Sequence, residues 1–480
     1  MQHDIDADLS AIQEARNLVQ RARKAAAAFA RIETADAWRI AMAVCRACEA
    51  RAEHYARLAV EETGIGRVQD KVFKNLLASR DLMGFHARTR LGGLHVDKER
   101  SMVLVGRPAG VVMGLVASTS PIGTLYFKIL SCLMTRNALI LSPHPLAQRC
   151  STEAVEYLRR VATDAGAPAD AIQIQLQPTL EATHAMMRDP GVDVILATGG
   201  GPMVRAAYSS GNPALGVGPG NVPVYVDRSA DLELAVHELM RSKVFDHGSA
   251  CSAPSAVFVH QDVESEFRSQ LQRAGAFFCD ERQQQQLEAH VFPGGRLNPL
   301  IVGRSAATIA AGAGLGNIGN AEVLVGTLGN VHPKAVMAKE KLSTVLGYKC
   351  VTSREQAICD AQAMLAISGA GHTSGIFADD AETILLWGSA LDVNRTVVNK
   401  GSSMGVIGDG TALAPTFTIG TGFAGRSSIG ENVGPEHLIN WKRIAFPLMA
   451  SKQQETHMSD VRSVVRAVLA NALQTKDLMA

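Results

Sequence analysis

No uninterrupted apolar run of about 18 residues, the length a membrane-spanning helix requires, occurs in the chain. Its opening stretch, "MQHDIDADLS", lacks the basic and apolar regions of a secretory signal. Neither charge dominates, since 47 Lys and Arg face 46 Asp and Glu, for a net charge of +1. That balance argues against a generic polyanion binder, so neither nucleic acid nor membrane is expected as a partner. The eight cysteines are scattered through 480 residues rather than spaced as a disulfide framework, as expected of reduced thiols in the cytoplasm. The 14 histidines form no H-E-x-x-H pair. Cys45 and Cys48 make one C-x-x-C inside the Ala-rich "AMAVCRACEARAEH". Zinc takes about four ligands and no second pair follows, so the two read as helix packing and no metal is expected.

What is present is a long chain, 47% hydrophobic and punctuated by 43 glycines. Such a chain exceeds one ordinary core, and two or three domains are expected. The first 90 or so residues, as in "AIQEARNLVQRARKAAAAFARI", favour amphipathic helices. From Ser101 the texture changes to short β-branched runs, each stopped by Gly, Pro or Ser: "SMVLVGRPAGVVMGLVAS", "NALILSPHP", "AIQIQLQ", "VDVILATGG" and "VPVYVD". Helix-like stretches such as "GTLYFKILSCLMTR" lie between them. That alternation predicts a parallel, doubly wound α/β sheet. A second α/β stretch follows with "SAVFVH", "EVLVGTLG" and "GIFADD", which puts a boundary near Asp231–Val236. From about His437 the chain reads as charged and helix-compatible. "GLGNIG" at 314–319 fits G-x-G-x-x-G but follows a helix-like stretch and precedes a strand-like one. A dinucleotide fingerprint needs the opposite order, so the match is set aside.

Seven stretches, taken in order, resemble the coenzyme-A-acylating branch of the aldehyde dehydrogenase superfamily. They are "PAGVVMGLVASTSPIGTLYFKIL", "TRNALILSPHP", "ATGGGPMVRAAYSSGNPALGVGPGNVPVYVD", "VFDHGSACSAPS", "KEKLSTVLGY", "GHTSGIFADD" and "SSIGENVGPEHLINWKRIAF". The resemblance implies two Rossmann-like parallel-sheet domains plus a small oligomerisation element. Residues 1–235 would then be a dinucleotide-binding domain with a helical N-terminal segment, 236–436 the catalytic domain, and 437–480 a packing or oligomerising segment. A homo-oligomer, dimer or tetramer, is implied on the same ground.

Cys251 in "GSAC" is the nucleophile the resemblance implies, and a thiolate suits the task of attacking an aldehyde and later leaving. The oxyanion so formed needs donors. The resemblance assigns one to the Cys251 N–H and the other to the position before Pro121, normally Asn, here Ser120. Hydrolytic relatives carry a Glu that readies water against the thioester, and "LGVGPGNVP" puts Gly216 in its place. A general base is worth about 10²–10⁴-fold, so transfer to coenzyme A is favoured over hydrolysis to the free acid. The strand–turn–helix order of "DVILATGGGPMVRAAYSSG" lets Thr198, Gly199 and Gly200 present N–H groups to a diphosphate. Glu340 matches the family's Glu on the nicotinamide ribose. Ser142 and His144, in "SPHP", stand where a carboxylate would select against a 2′-phosphate, so NADP or NAD is allowed. His247, Phe423 and Arg426 depart from the family's usual Asn, Ser and Gly. A guanidinium near the aldehyde would suit a short anionic substrate, sulfoacetaldehyde first, with acetaldehyde or propanal as alternatives. His372 in "GHTSG" reads as a core contact. A non-catalytic subunit that kept the fold is the reading from another class.

Overall fold

The computed structural model describes residues 7–447 and Ser463. Three helices, Ala7–Phe29, Thr34–Ala50 and Ala52–Thr63, open the chain as the composition predicts, and Cys45 and Cys48 are buried in the second. Two parallel sheets follow. The first runs, in spatial order, Ile172–Ile174, Ala138–Pro143, Val111–Val116, Val194–Ala197 and Ala214–Gly216. Alternate residues of its strands go to opposite faces, as a period of two demands. Val112, Leu139, Leu141 and Leu196 meet the fully buried helix Pro121–Met134, whereas Val111, Met113, Ile140 and Ile195 meet the alanine face of Ala7–Phe29.

The second sheet runs Ala276–Phe278, Val323–Thr327, Val345–Val351, Pro254–His260, Val222–Val226, Ser374–Phe377 and Thr396–Val398. All its pairings are parallel. One expectation is corrected here. The sequence places "VPVYVD" in the first unit, yet Val222–Val226 pairs with Pro254–His260 and Ser374–Phe377 in the second. The chain crosses between sheets after Gly216, ahead of the expected boundary at 235, because the five residues of this strand are buried on both faces and fit a central position.

A third, antiparallel sheet joins Gly93–Asp97, Met102–Pro108 and Ile439–Ala445. The last strand corrects the helix-compatible reading of the segment from His437. Trp441 lies over Gly106, where a Cβ would stand 2.9 Å from its ring, and this cross-strand contact outweighs local propensity. Residues 448–480, apart from Ser463, lie outside the described residues. "GLGNIG" joins the helix Ala306–Ala313 to the strand Val323–Thr327, the order that excludes a dinucleotide fingerprint.

Candidate active site

Strand order in the first sheet reverses between Val111–Val116 and Val194–Ala197, which are neighbours although remote in sequence. Ligands of open α/β sheets bind at such a switch point, beyond the strands' carboxyl ends. The segments leaving those two strands, Ala117–Ser120 and Thr198–Gly201, face each other across a cavity of about 490 Å³. Its opposite wall comes from segments entering strands of the second sheet: Gly218 and Pro219, Ser249–Ser252, and Glu340. The carboxyl end of one sheet thus faces the amino end of the other, with Cys251 between them.

Cys251, Ser120, Thr198, Gly199, Gly200, Glu340 and His144 are therefore brought to one cavity. Gly220 lets the cysteine loop approach, since a Cβ there would stand 1.8 Å from the Cys251 carbonyl oxygen. Burial, then the neighbouring Glu340, pushes the Cys251 thiol up to about 12, and Lys74 and Arg395 pull it part of the way back. Burial raises Glu340 to about 8, against the opposing pull of the Gly220 N–H, Lys341 and Lys243.

Gly200 is the N-cap of the helix Gly201–Tyr208. A Cβ at Gly199 or Gly200 would meet nothing closer than 3.9 Å, and neither residue has positive φ. Neither packing nor backbone geometry requires glycine there. The bare, N–H-rich turn at a helix N-terminus has room for the close approach of a diphosphate. Ser142 is placed otherwise: it is buried, and its Oγ is bonded to Gln175 Oε1 at 2.9 Å rather than turned to the cavity. His144 lines the cavity, its Nδ1 accepting from the Leu146 N–H at 3.1 Å and its pKa lowered by partial desolvation.

Gly216 lies behind the wall. A side chain there would start 2.8 Å from Tyr208, whose hydroxyl accepts from the Gly216 N–H at 2.8 Å and meets Ser427 Oγ at 2.7 Å. Val217 takes the place on the lining. Among the lining residues the one carboxylate is Glu340.

His247, Phe423 and Arg426 are not on the lining, so the structure does not bring them to Cys251. His247 and Arg426 have φ of 53° and 57°, where Asn and Gly sit without strain. Phe423 is 91% exposed. Arg426 makes no side-chain hydrogen bond or ion pair among the described residues. His372 is buried beside Thr373 Oγ1 at 2.9 Å, away from the cavity.

Three residues at the site escape a sequence reading. Lys71 and Lys74, on the helix Val68–Leu76, are buried and both reach Asp246 Oδ2, at 3.0 and 2.6 Å. Asp246 also accepts from the Arg67 N–H at 2.8 Å and Ser249 Oγ at 3.0 Å. Lys74 lines the cavity. The available signal was two lysines three apart beside an apolar run, but that spacing more often marks a solvated face.

The aldehyde dehydrogenase family model matches residues 6–408, and the chain belongs to that family. It is 36% identical over 440 residues to the bifunctional aldehyde-alcohol dehydrogenase of Escherichia coli strain K12, covering 90% of this chain and 49% of that protein. The chain thus spans about half the length of the first curated relatives it matches. A sulfoacetaldehyde dehydrogenase from Acholeplasma sp is 34% identical over 395 residues, 80% of each chain. Among solved structures, an acetylating aldehyde dehydrogenase from Geobacillus thermoglucosidasius superposes with a TM-score of 0.91 at 37% identity, covering 93% of this chain and 99% of that one. No helix among the described residues is long and apolar enough to cross a membrane, and no group of metal-ligating side chains occurs among them.

Proposed function

We propose that this protein oxidises a short aldehyde and passes the acyl group to coenzyme A, reversibly, through a thioester on Cys251. The carrying observation is that Glu340 is the one carboxylate on the cavity lining, with the place of the family's water-activating Glu closed by Tyr208. A thiol acceptor needs little help, because roughly a few per cent of it is thiolate at neutral pH. NAD or NADP, when bound, accepts the hydride. Thr198, Gly199 and Gly200 would hold its diphosphate, Glu340 its nicotinamide ribose, and His144 its adenosine side. Ser120 and the Cys251 N–H donate to the oxyanion.

Within that class sulfoacetaldehyde remains the proposed substrate. Its support is the name of one relative, and Arg426, off the cavity lining, adds none. Cytoplasmic location is part of the proposal, supported by eight free cysteines. The test follows reduced-nicotinamide absorbance across aldehydes and both nicotinamides, with and without coenzyme A, for wild type and Arg426→Gly. Turnover that depends on coenzyme A supports the reading, and full turnover without it sinks it. Because Arg426 lies off the lining, Arg426→Gly should change kcat/KM for sulfoacetaldehyde and propanal by the same factor. A loss selective for sulfoacetaldehyde would put Arg426 at the substrate.

A further inference from the structure

Ser120 holds the N-cap position of the helix Pro121–Met134, where a serine hydroxyl ordinarily accepts from a first-turn N–H. It makes no such bond. Its Oγ accepts instead from Lys74 Nζ at 2.8 Å. An ammonium can only donate, so this bond occupies a serine lone pair and leaves the hydroxyl proton to be given elsewhere. That proton finds no acceptor among the described residues, and Ser120 lines the cavity that reaches Cys251.

The lysine is itself held. Asp246 Oδ2 takes Lys74 Nζ at 2.6 Å, and Lys71 bridges the same oxygen, at 3.0 Å, to the Thr119 carbonyl, at 2.8 Å. The Phe245 ring covers Lys74, with Nζ 5.4 Å from its centroid. One short helix therefore fixes both the backbone before Ser120 and the rotor of its hydroxyl. A free serine hydroxyl is shorter than an asparagine amide and spins among three wells, so it makes a poor donor unless something orients it.

We propose that Lys74 is the positioning residue of the oxyanion site, aiming the Ser120 O–H into the cavity so that lysine and serine together replace the family's asparagine. The inference rests on the thioester reading above, through Cys251. In acyl transfer to Cys251 the sulfur–carbon bond forms while the carbonyl π pair moves onto oxygen. Ser120 O–H and the Cys251 N–H donate to that oxygen. Collapse restores the carbonyl, expels the leaving group with its electron pair, and the thiol proton goes to solvent.

p-Nitrophenyl acetate tests this without nicotinamide or coenzyme A. Its p-nitrophenolate burst reports acetylation of Cys251, confirmed by mass spectrometry of the peptide. Ser120→Ala should slow the burst about 10²-fold or more, the usual loss for one oxyanion donor. Lys74→Met should cost about tenfold or more in the wild-type background and several-fold less than that in Ser120→Ala, where its pull on the Cys251 thiol is all that is left to lose. Lys74→Arg should restore part of the rate. Equal factors for Lys74→Met in both backgrounds, or an unslowed Ser120→Ala, overturn the proposal. Should Lys74→Met not fold, Lys74→Gln carries the same cycle. A protein that acetylates in this pattern yet makes no acyl-coenzyme A sinks the functional reading alone. One that makes it with additive losses sinks the lysine alone.

Discussion

At Cys251 the resting site works against its own nucleophile. Burial raises the thiol to about 12, and the next contribution is Glu340, itself raised to about 8 by burial. Below about pH 8 the carboxyl keeps its proton and leaves the thiol alone. Above it, the new negative charge opposes a thiolate. Glu340→Gln should therefore alkylate with iodoacetamide about three- to tenfold faster than wild type at pH 9, since a neighbouring negative charge disfavours the thiolate. The two should match at pH 6. Equal rates at both pH values would separate the two groups. This residue pair was legible in part: "GSAC" and "KEKLST" each point to a role, but nothing in either stretch says that they share a cavity. Ser120 was legible by position, and its hydroxyl partner was not.

The helix Val68–Leu76 explains why that partner was missed. It buries Lys71, Lys74 and Asn75 and leaves Val72, Phe73 and Leu76 only part-covered, the reverse of an ordinary amphipathic face. The lysines are tolerated because Asp246, 172 residues away from Lys74, meets them. Sequence separation of that size carries no local signal. Burial pushes the Asp246 carboxyl up, but the two ammonium groups and its hydrogen bonds more than offset this and hold it well below the usual range. A carboxyl lowered by folding adds stability that is full above its unfolded value, about 4, and is lost progressively as pH falls from there towards the lowered folded value. Asp246→Asn, which leaves two buried ammonium groups uncompensated, should lose about 3–5 kcal/mol at pH 7 in urea unfolding. The gap to wild type should narrow below about pH 4. A gap that is the same at both pH values would mean the carboxylate charge is not what matters. Elsewhere element type was readable where period and stops were clear, as at Val111–Val116 and Val194–Ala197. It failed at Ile439–Ala445, whose lysine and arginine read as a helix face until Met102–Pro108 supplied a partner.

Over the whole molecule, two parallel sheets meeting end to end were legible as a pair, whereas their seam was not. Alternating strands and helices announce a doubly wound fold, but strand order is tertiary, and Val222–Val226 joined the sheet it did not follow. The three-stranded sheet keeps both outer edges unpaired among the described residues, and Ile444 is 50% exposed on one of them. Such a small, open sheet needs cover. What the assembled site is for turns on the acyl group held at Cys251. The most direct measurement quenches the protein after aldehyde and oxidised nicotinamide are mixed, and weighs the Cys251 peptide with and without coenzyme A. The acyl group should persist without coenzyme A, its hydrolysis slower by about 10²–10⁴-fold, and leave as acyl-coenzyme A once the thiol is added. Loss to free acid at the turnover rate, with no thiol present, would contradict the account.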